Sequence, residues 1–427
     1  MKKFTLFLSA MTMAAGAFAA APEVGGHYVI KSNRGGNYLA YDAAGLAHER
    51  QDYTTHLYRT GDVAANCIWT VSAGSAEGTV VLKNYTADAY LVAFSDELTN
   101  GAYTNVIANT SEEAVDLSVT ECANFAGAYS ISIANTEGNV SIDADNWNNT
   151  FCGNWIPNDG GTAWFFTAID LEEGDVDKAL FTQVVAADYI DQLNAYVAAV
   201  PQVVKAELVA GIEAIEALTG DDATAAKAAE VKTAALEAAA EALATGLNDK
   251  VFAINNARRA DMELAGGSFL TTDVAQGKFV NAESYDAEQA HFTFKAADGG
   301  YKICNVATGS YIGEGSAITS DEAAAVVVYP FLAKGGAYYG VSMPFAADHT
   351  GMGLNIDTNG NPLTTWSCTD AGSIWSLIDI EEDAIESIEA EKTPAPAKKG
   401  IYDLQGRQLA VPVRGINIID GVKVYVK

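Results

Sequence analysis

Two stretches of the chain bring carboxylates, amides and tryptophans close together. One, VSIDADNWNNTFCGNWIPND, holds Asp143, Trp147, Asn154, Trp155 and Asn158, and the other, LNIDTNGNPLTTWSCTD, holds Asp357, Trp366 and Asp370. In each, an Asp precedes a loop Trp and a second polar residue follows. An exposed indole packs against the apolar C–H face of a pyranose, and a nearby carboxylate or amide takes the hydrogen bonds of its hydroxyls. These eight residues form the candidate ligand-binding set, for a shallow pocket that takes a polyhydroxylated ligand. The competing use of Trp155 and Trp366 is structural, because a Trp repeated in both stretches also suits the cap of a core. Trp147 has no counterpart in the second stretch, which favours it as an exposed platform. Tyr41 and Asp42 are a lesser candidate of the same kind.

No stretch meets a catalytic template. There is no Gly-x-Ser-x-Gly elbow, no His-Glu-x-x-His helix and no phosphate-binding Gly-rich loop. The five histidines are scattered, and carboxylates are too abundant for any pair to be singled out for glycoside hydrolysis. Asp143, Asp145 and Asn148, and likewise Asp357, Asn359 and Asn361, cluster hard oxygen ligands of the kind Ca²⁺ takes. Neither loop follows the EF-hand pattern, and Pro362 stands where a Gly is needed. Asp and Asn also simply make good turns. The expectation is a non-catalytic protein with no cofactor and no metal.

The formal net charge of −30 would repel a phosphate backbone, so nucleic acid is not an expected partner. Residues 1–21 read as a secretory signal peptide: Lys2 and Lys3, then a short apolar run, then Ala17-Phe18-Ala19 as a small-x-small cleavage site. The run is short for a bilayer and no other stretch could span one, so the mature chain is expected to be exported without a transmembrane segment. Cys67, Cys122, Cys152, Cys304 and Cys368 are widely spaced, with no zinc or redox motif. Partial pairing and buried free thiols are both open.

The elements that would position the candidate residues repeat. YVIKSNRGGNYL, VVLKNYTADAYL and YKICNVATGSYIG each place two apolar or aromatic residues ten apart, as Tyr28/Tyr38, Val80/Tyr90 and Tyr301/Tyr311. YSISIANTEGNV keeps the spacing with Tyr129 and Asn139, and VFAINNARRADMEL with Phe252 and Met262. Alternating apolar and polar residues with Gly, Asn and Asp between them predict short strands and tight turns. A period near fifty residues predicts repeated units. The first-half units close on a bulky residue, Trp69, Leu117 and Trp164, which predicts three units sharing one core. The second half repeats the scheme and ends alike: Ile142-Asp143 matches Ile356-Asp357, Trp155 matches Trp366, Asp159 matches Asp370 and Trp164 matches Trp375.

Between the halves the period changes. Val185, Tyr189, Leu193, Tyr196 and Val200 form one helical stripe, Pro201 separates it from a second helix, and Gly220 followed by an Asp cap opens an Ala-rich third. Three antiparallel helices are expected to act as a spacer; a 25-residue helix is about 37 Å long. The expected layout is a signal peptide (1–21), a first β domain (22–172), a helical spacer (173–246), a second β domain (247–381), an acidic then Pro/Lys-rich linker (382–399) and a tail (400–427). In the tail, alternating apolar residues around Asp420-Gly421 predict a hairpin.

The triplicated units resemble ricin-type β-trefoils, which have three units of four strands, each often ending in Gln-x-Trp. In the Gln position this chain has Cys67, Thr162 and Ser373. The resemblance implies a mostly β fold with two β-trefoil-like domains around an α-helical insert, and lectin-like binding of a glycan or polysaccharide at the cell surface or outside it. The tail, with YDLQGR and its terminal GVKVYVK, is similar to the C-terminal sorting segments of secreted Bacteroidetes proteins. That implies type IX secretion and cell-surface attachment. A structural or adhesive surface protein that binds protein partners is the alternative.

Overall fold

The computed structural model describes residues 21–47, 54–93, 108–134, 141–144, 151–171, 174–273, 275–357, 362–380 and the strand segments 401–402, 408–409, 415–419 and 422–426. The signal peptide (1–20 of its span), the linker, Trp147, Asp145, Asn148, Asn359 and Asn361 lie outside these residues.

The first half is a sheet of β1 (His27–Ser32), β2 (Tyr38–Ala47), β3 (Thr54–Thr60), β4 (Ile68–Ala73), β5 (Val80–Asn84), β6 (Tyr90–Ala93), β7 (Ala108–Ser111), β8 (Leu117–Glu121), β9 (Tyr129–Ile133), β10 (Ser141–Ala144), β11 (Cys152–Trp155) and β12 (Trp164–Ile169). Antiparallel pairing runs β1–β4–β5–β8–β9–β12 and returns to β1, closing a six-stranded barrel. Three hairpins, β2/β3, β6/β7 and β10/β11, leave it after every second barrel strand. This is the strand plan of a β-trefoil, and closure leaves the barrel no free edge. The spacing of ten now has a cause. Three residues after the first apolar position the chain pairs with the start of the hairpin, as Lys31↔Tyr38 and Lys83↔Tyr90.

Trp69, Leu117 and Trp164 are all fully buried in one apolar cluster at the barrel centre. Neighbouring residues of β1 serve two cores. Ile30 belongs to the barrel cluster, whereas Val29 joins a larger one shared with the helices. Both are fully buried, so β1 reads as a continuous apolar run.

The helical region contains α1 (Val176–Leu180), a π-helical turn (Phe181–Val185), α2 (Ala186–Val197), α3 (Gln202–Glu216) and α4 (Ala225–Gly246). Asp175 caps α1 through the Lys178 amide at 3.3 Å. The cap of α4 is Thr224, which accepts from the Lys227 amide at 3.1 Å, while Asp221 and Asp222 sit in a separate 3₁₀ turn. The expected Asp cap is thus displaced by a residue that directly precedes the helix. The small residues have the role their size implies: a methyl group on Gly211 of α3 would collide with Ala235 of α4, so the helices can cross this closely only with Gly there.

The second half has β13 (Val251–Asn256), a short helix α5 (Ala257–Asp261), β14 (Phe269–Asp273), β15 (Lys278–Ala282), β16 (His291–Ala297), β17 (Gly300–Asn305), β18 (Tyr311–Ile312), β19 (Ile318–Thr319), β20 (Phe331–Gly335), β21 (Tyr338–Ser342), β22 (Met352–Asn355), β23 (Thr364–Ser367) and β24 (Trp375–Asp379). Its strands follow the same order, with β13 between β16 and β24, and hairpins β14/β15, β18/β19 and β22/β23. One seam differs. β17 and β20 form no ladder, and the gap is closed by the single bridge Tyr301↔Val328. Helix α4 lies against this seam: it touches β20, and the Tyr301 hydroxyl donates to the Ala244 carbonyl at 2.6 Å.

The helices are therefore not a rod holding two bodies apart. One apolar cluster runs from Val29 and Ile68 through Tyr189, Leu208 and Leu243 to Phe252 and Trp375. The spacing of ten also fails in two units. In one, Ser132, three residues after Tyr129, pairs with Ser141, and Asn139 lies outside the described residues. In the other, Phe252 does not lead to Met262, because α5 is inserted and the first hairpin strand starts at Phe269, paired to Asn255.

From Asp379 onward the chain forms a separate unit. Its described strands β25 (Ile401–Tyr402), β26 (Gln408–Leu409), β27 (Gly415–Ile419) and β28 (Val422–Val426) make one antiparallel sheet in the order β26-β25-β27-β28. β27 and β28 are the expected hairpin, with Ile419 opposite Val422. All five cysteines are buried free thiols. Among the described residues no helix is long and apolar enough to cross a membrane.

Candidate functional site

The closing tryptophans fix the correspondence between the halves. Trp164 donates its indole N–H to the Ile142 carbonyl at 2.8 Å, and Trp375 does the same to Leu354 at 3.1 Å. Trp69 repeats the contact with Leu39 at 3.0 Å. Ile142 thus corresponds to Leu354, not Ile356, and Asp143 corresponds to Asn355, not Asp357. The shift corrects the sequence match at that one pair. The remaining matches stand: Trp155 faces Ser141 as Trp366 faces Gly353, and Asp159 and Asp370 both receive the amide two residues on, from Gly161 at 2.9 Å and Gly372 at 2.8 Å.

In the second half the three candidate residues meet. Asp357, Trp366 and Asp370 line one cleft of about 400 Å³ together with Arg258, Asn355, Ile356, Thr364 and Thr365. Trp366 on β23 is 59% exposed. Asn355 at the end of β22 is almost fully buried, and its Nδ2 donates to Asp370 Oδ1 at 3.2 Å and to Ser373 Oγ at 2.9 Å. Arg258, on α5, approaches Asp370 only to 3.8 Å, and its side chain is about one-third exposed (35%). The cleft is thus lined by a guanidinium, two carboxylates, an amide, two threonines and an exposed indole.

In the first half the set is not gathered in this way. Asp143, on β10, is 1% exposed. Arg34 spans it and Asp159, with Nη1 3.3 Å from Asp143 Oδ1 and Nη2 2.7 Å from Asp159 Oδ1. Nη1 also donates to the Ala144 carbonyl at 3.0 Å. A methyl group on Gly161 would strike both Asp143 and Arg34, so the ion cluster fills the space beside that turn. Asn154 and Trp155 lie half-buried on β11. Asn158 is a turn residue at φ 65°, and its side-chain oxygen accepts from the Ala123 amide at 2.9 Å. Its backbone amide donates to Ser130 Oγ at 3.2 Å. Asp143 and Asn158 thus brace the fold. Among the described residues, groups of three or more His, Cys, Asp or Glu able to hold a metal ion are absent.

Arg34, Arg258, Asn355, Thr364 and Thr365 escaped the sequence reading. The arginines carried a signal. Each stands two residues beyond the end of the first barrel strand of its half, after Ser32 and Asn256. Asn256 is one of three buried or nearly buried clamps. Its Nδ2 donates to the Gly372 and Ile374 carbonyls at 2.9 and 3.1 Å, as Asn84 does to Asn66 and Ile68 and Asn305 to Gln289 and His291.

No family model and no curated protein matches the chain. Among solved structures, it is similar to the agglutinin of Rhizoctonia solani, at 20% identity and a TM-score of 0.27 over 35% of this chain and 98% of that one. A ricin B-like lectin of Macrolepiota procera, solved with lactose, matches at 12% identity and 0.27 over 34% of this chain and 98% of its own. SeviL, solved with an asialo-GM1 saccharide, matches at 15% and 0.24 over 33% and 95%. Each likeness covers about a third of the chain; the closed barrel with its three hairpins is read from the strand pairing of the first half.

Proposed function

We propose that this is an exported, non-catalytic carbohydrate-binding protein, built from two copies of one β-trefoil, whose working site is the cleft of the second half. The observation that carries the reading is Trp366, an exposed indole set beside Asp370, Asn355 and Arg258 in one concavity. A pyranose stacked on the indole would place adjacent hydroxyls between the Arg258 donors and the Asp370 carboxylate, with Thr364 and Thr365 at the rim. The cleft volume falls in the range of small-molecule sites, roughly 300–1,000 Å³. At about −0.3 kcal/mol per non-hydrogen atom, a single sugar would bind in the millimolar range, which suits a surface that meets many copies of a glycan.

The closed cluster of the first half supports a second role for that half alone, as a structural or protein-binding support for its twin. The C-terminal unit, with its hairpin, is the proposed sorting and surface-attachment segment.

A glycan array probed with the exported chain tests the reading. Binding to one class of glycan is expected, and Trp366→Ala should remove it without moving the unfolding midpoint. A blank array, or binding that survives Trp366→Ala, would overturn it.

A further inference from the structure

The two halves carry the same arginine at the same place, yet hold it differently. Arg34 is drawn across Asp143 and Asp159, whereas Arg258 stays at the edge of Asp370. Arg258 sits on α5 and Arg34 in a turn, and one charge also differs at one register position of the third hairpin. Asp143 and Asn355 both follow the residue that receives the closing Trp indole. A carboxylate as buried as Asp143 must be paired, because an isolated buried charge is strongly disfavoured. Its partner is Arg34. Asn355 is an amide and donates directly to Asp370. It therefore satisfies the acid that Asp143 would repel, and no cation is needed between them.

We infer that Asn355 is the positioning residue that keeps the second cleft open, and that an acid at its place would draw Arg258 inward as Arg34 is drawn. A single side chain then decides how each half holds its arginine. The functional meaning of this device rests on the glycan reading, but the device itself does not.

Phenylglyoxal, which modifies accessible guanidinium groups, separates the two. The full chain is treated with it, and modification of Arg34 and Arg258 is followed by peptide mass spectrometry. In the native chain Arg258 should react at least about tenfold faster than Arg34, since a charge-assisted pair holds only the latter. Asn355→Asp should slow Arg258 toward the Arg34 rate, and Asp143→Asn should speed Arg34 toward that of Arg258. A crystal structure of Asn355→Asp should show the guanidinium against both carboxylates, and it decides the matter if Asp143→Asn does not fold. Equal rates in the native chain, or an Arg258 unmoved in Asn355→Asp, would refute the inference. A blank glycan array with the expected phenylglyoxal rates would remove the sugar and leave the device.

Discussion

The N-terminal and C-terminal β sheets share strand order and closing tryptophan, and each has an arginine two residues past its first barrel strand. Yet one arginine spans two carboxylates, of which Asp143 is buried, while the other stays 3.8 Å from a single one. Part of the difference lies in the backbone, since Arg258 sits on the inserted α5 and Arg34 in a turn. The rest we assign to the charge of one side chain on the first strand of the third hairpin, Asp143 against Asn355. In the first half two carboxylates share one guanidinium, and the site is a brace. In the second an amide and a carboxylate satisfy each other, and the arginine is left at the surface.

The strongest way to break this comparison is to remove each arginine. Arg34→Ala strands a carboxylate that is almost fully buried and should cost about 3–5 kcal/mol in denaturant unfolding. Arg258→Ala removes a long, part-exposed contact and should cost about 0–1 kcal/mol. Equal losses would mean the two sites are not held differently.

The shared plan is tested by the asparagine clamps. Asn84→Ala, Asn256→Ala and Asn305→Ala each unmake bonds to buried carbonyls and should cost about 1–3 kcal/mol apiece. A neutral result at Asn305, with losses at Asn84, would set the two halves apart where they are now alike.

A last test lies where both halves meet the helices. Lys31 of the first half pairs with Asp188, which also bonds Gln192 at 2.8 Å. Lys334 of the second half makes no ion pair among the described residues. It donates to the Gly35 carbonyl and lies over the Tyr339 ring at 4.8 Å. Burial first, then repulsion from Lys31, lowers its pKa from 10.5 to about 8. A lysine with a lowered folded pKa penalises the fold while protonated, and the penalty is relieved as pH rises from about 8 towards 10.5. Stability should therefore rise between pH 8 and 10 relative to Lys334→Met, which should lack that increment. Parallel pH profiles of the two chains would refute the assignment.

How much of this was legible in the sequence varies by element. The spacing of ten was readable because a barrel strand must turn and pair three residues in, at Lys31↔Tyr38 and Lys83↔Tyr90. It broke at Met262 because an inserted helix leaves no trace in a period. The helices were readable from their stripe, but their role was not: an amphipathic face shows that something packs on it, not what. The Trp366 and Asp370 pairing was found from residue types, while in its first-half twin Arg34 bridges Asp143 and Asp159, a contact between distant segments that residue types do not show.

The sequence alone determined the repeat, the helical insert and the tryptophans that close each half, because these follow from short-range periodicity and burial. Only the tertiary structure decided which cleft is open. Arg34 reaches Asp143 across 109 residues of chain, and the balance of charge between groups so distant is set by where the fold brings them, not by their order.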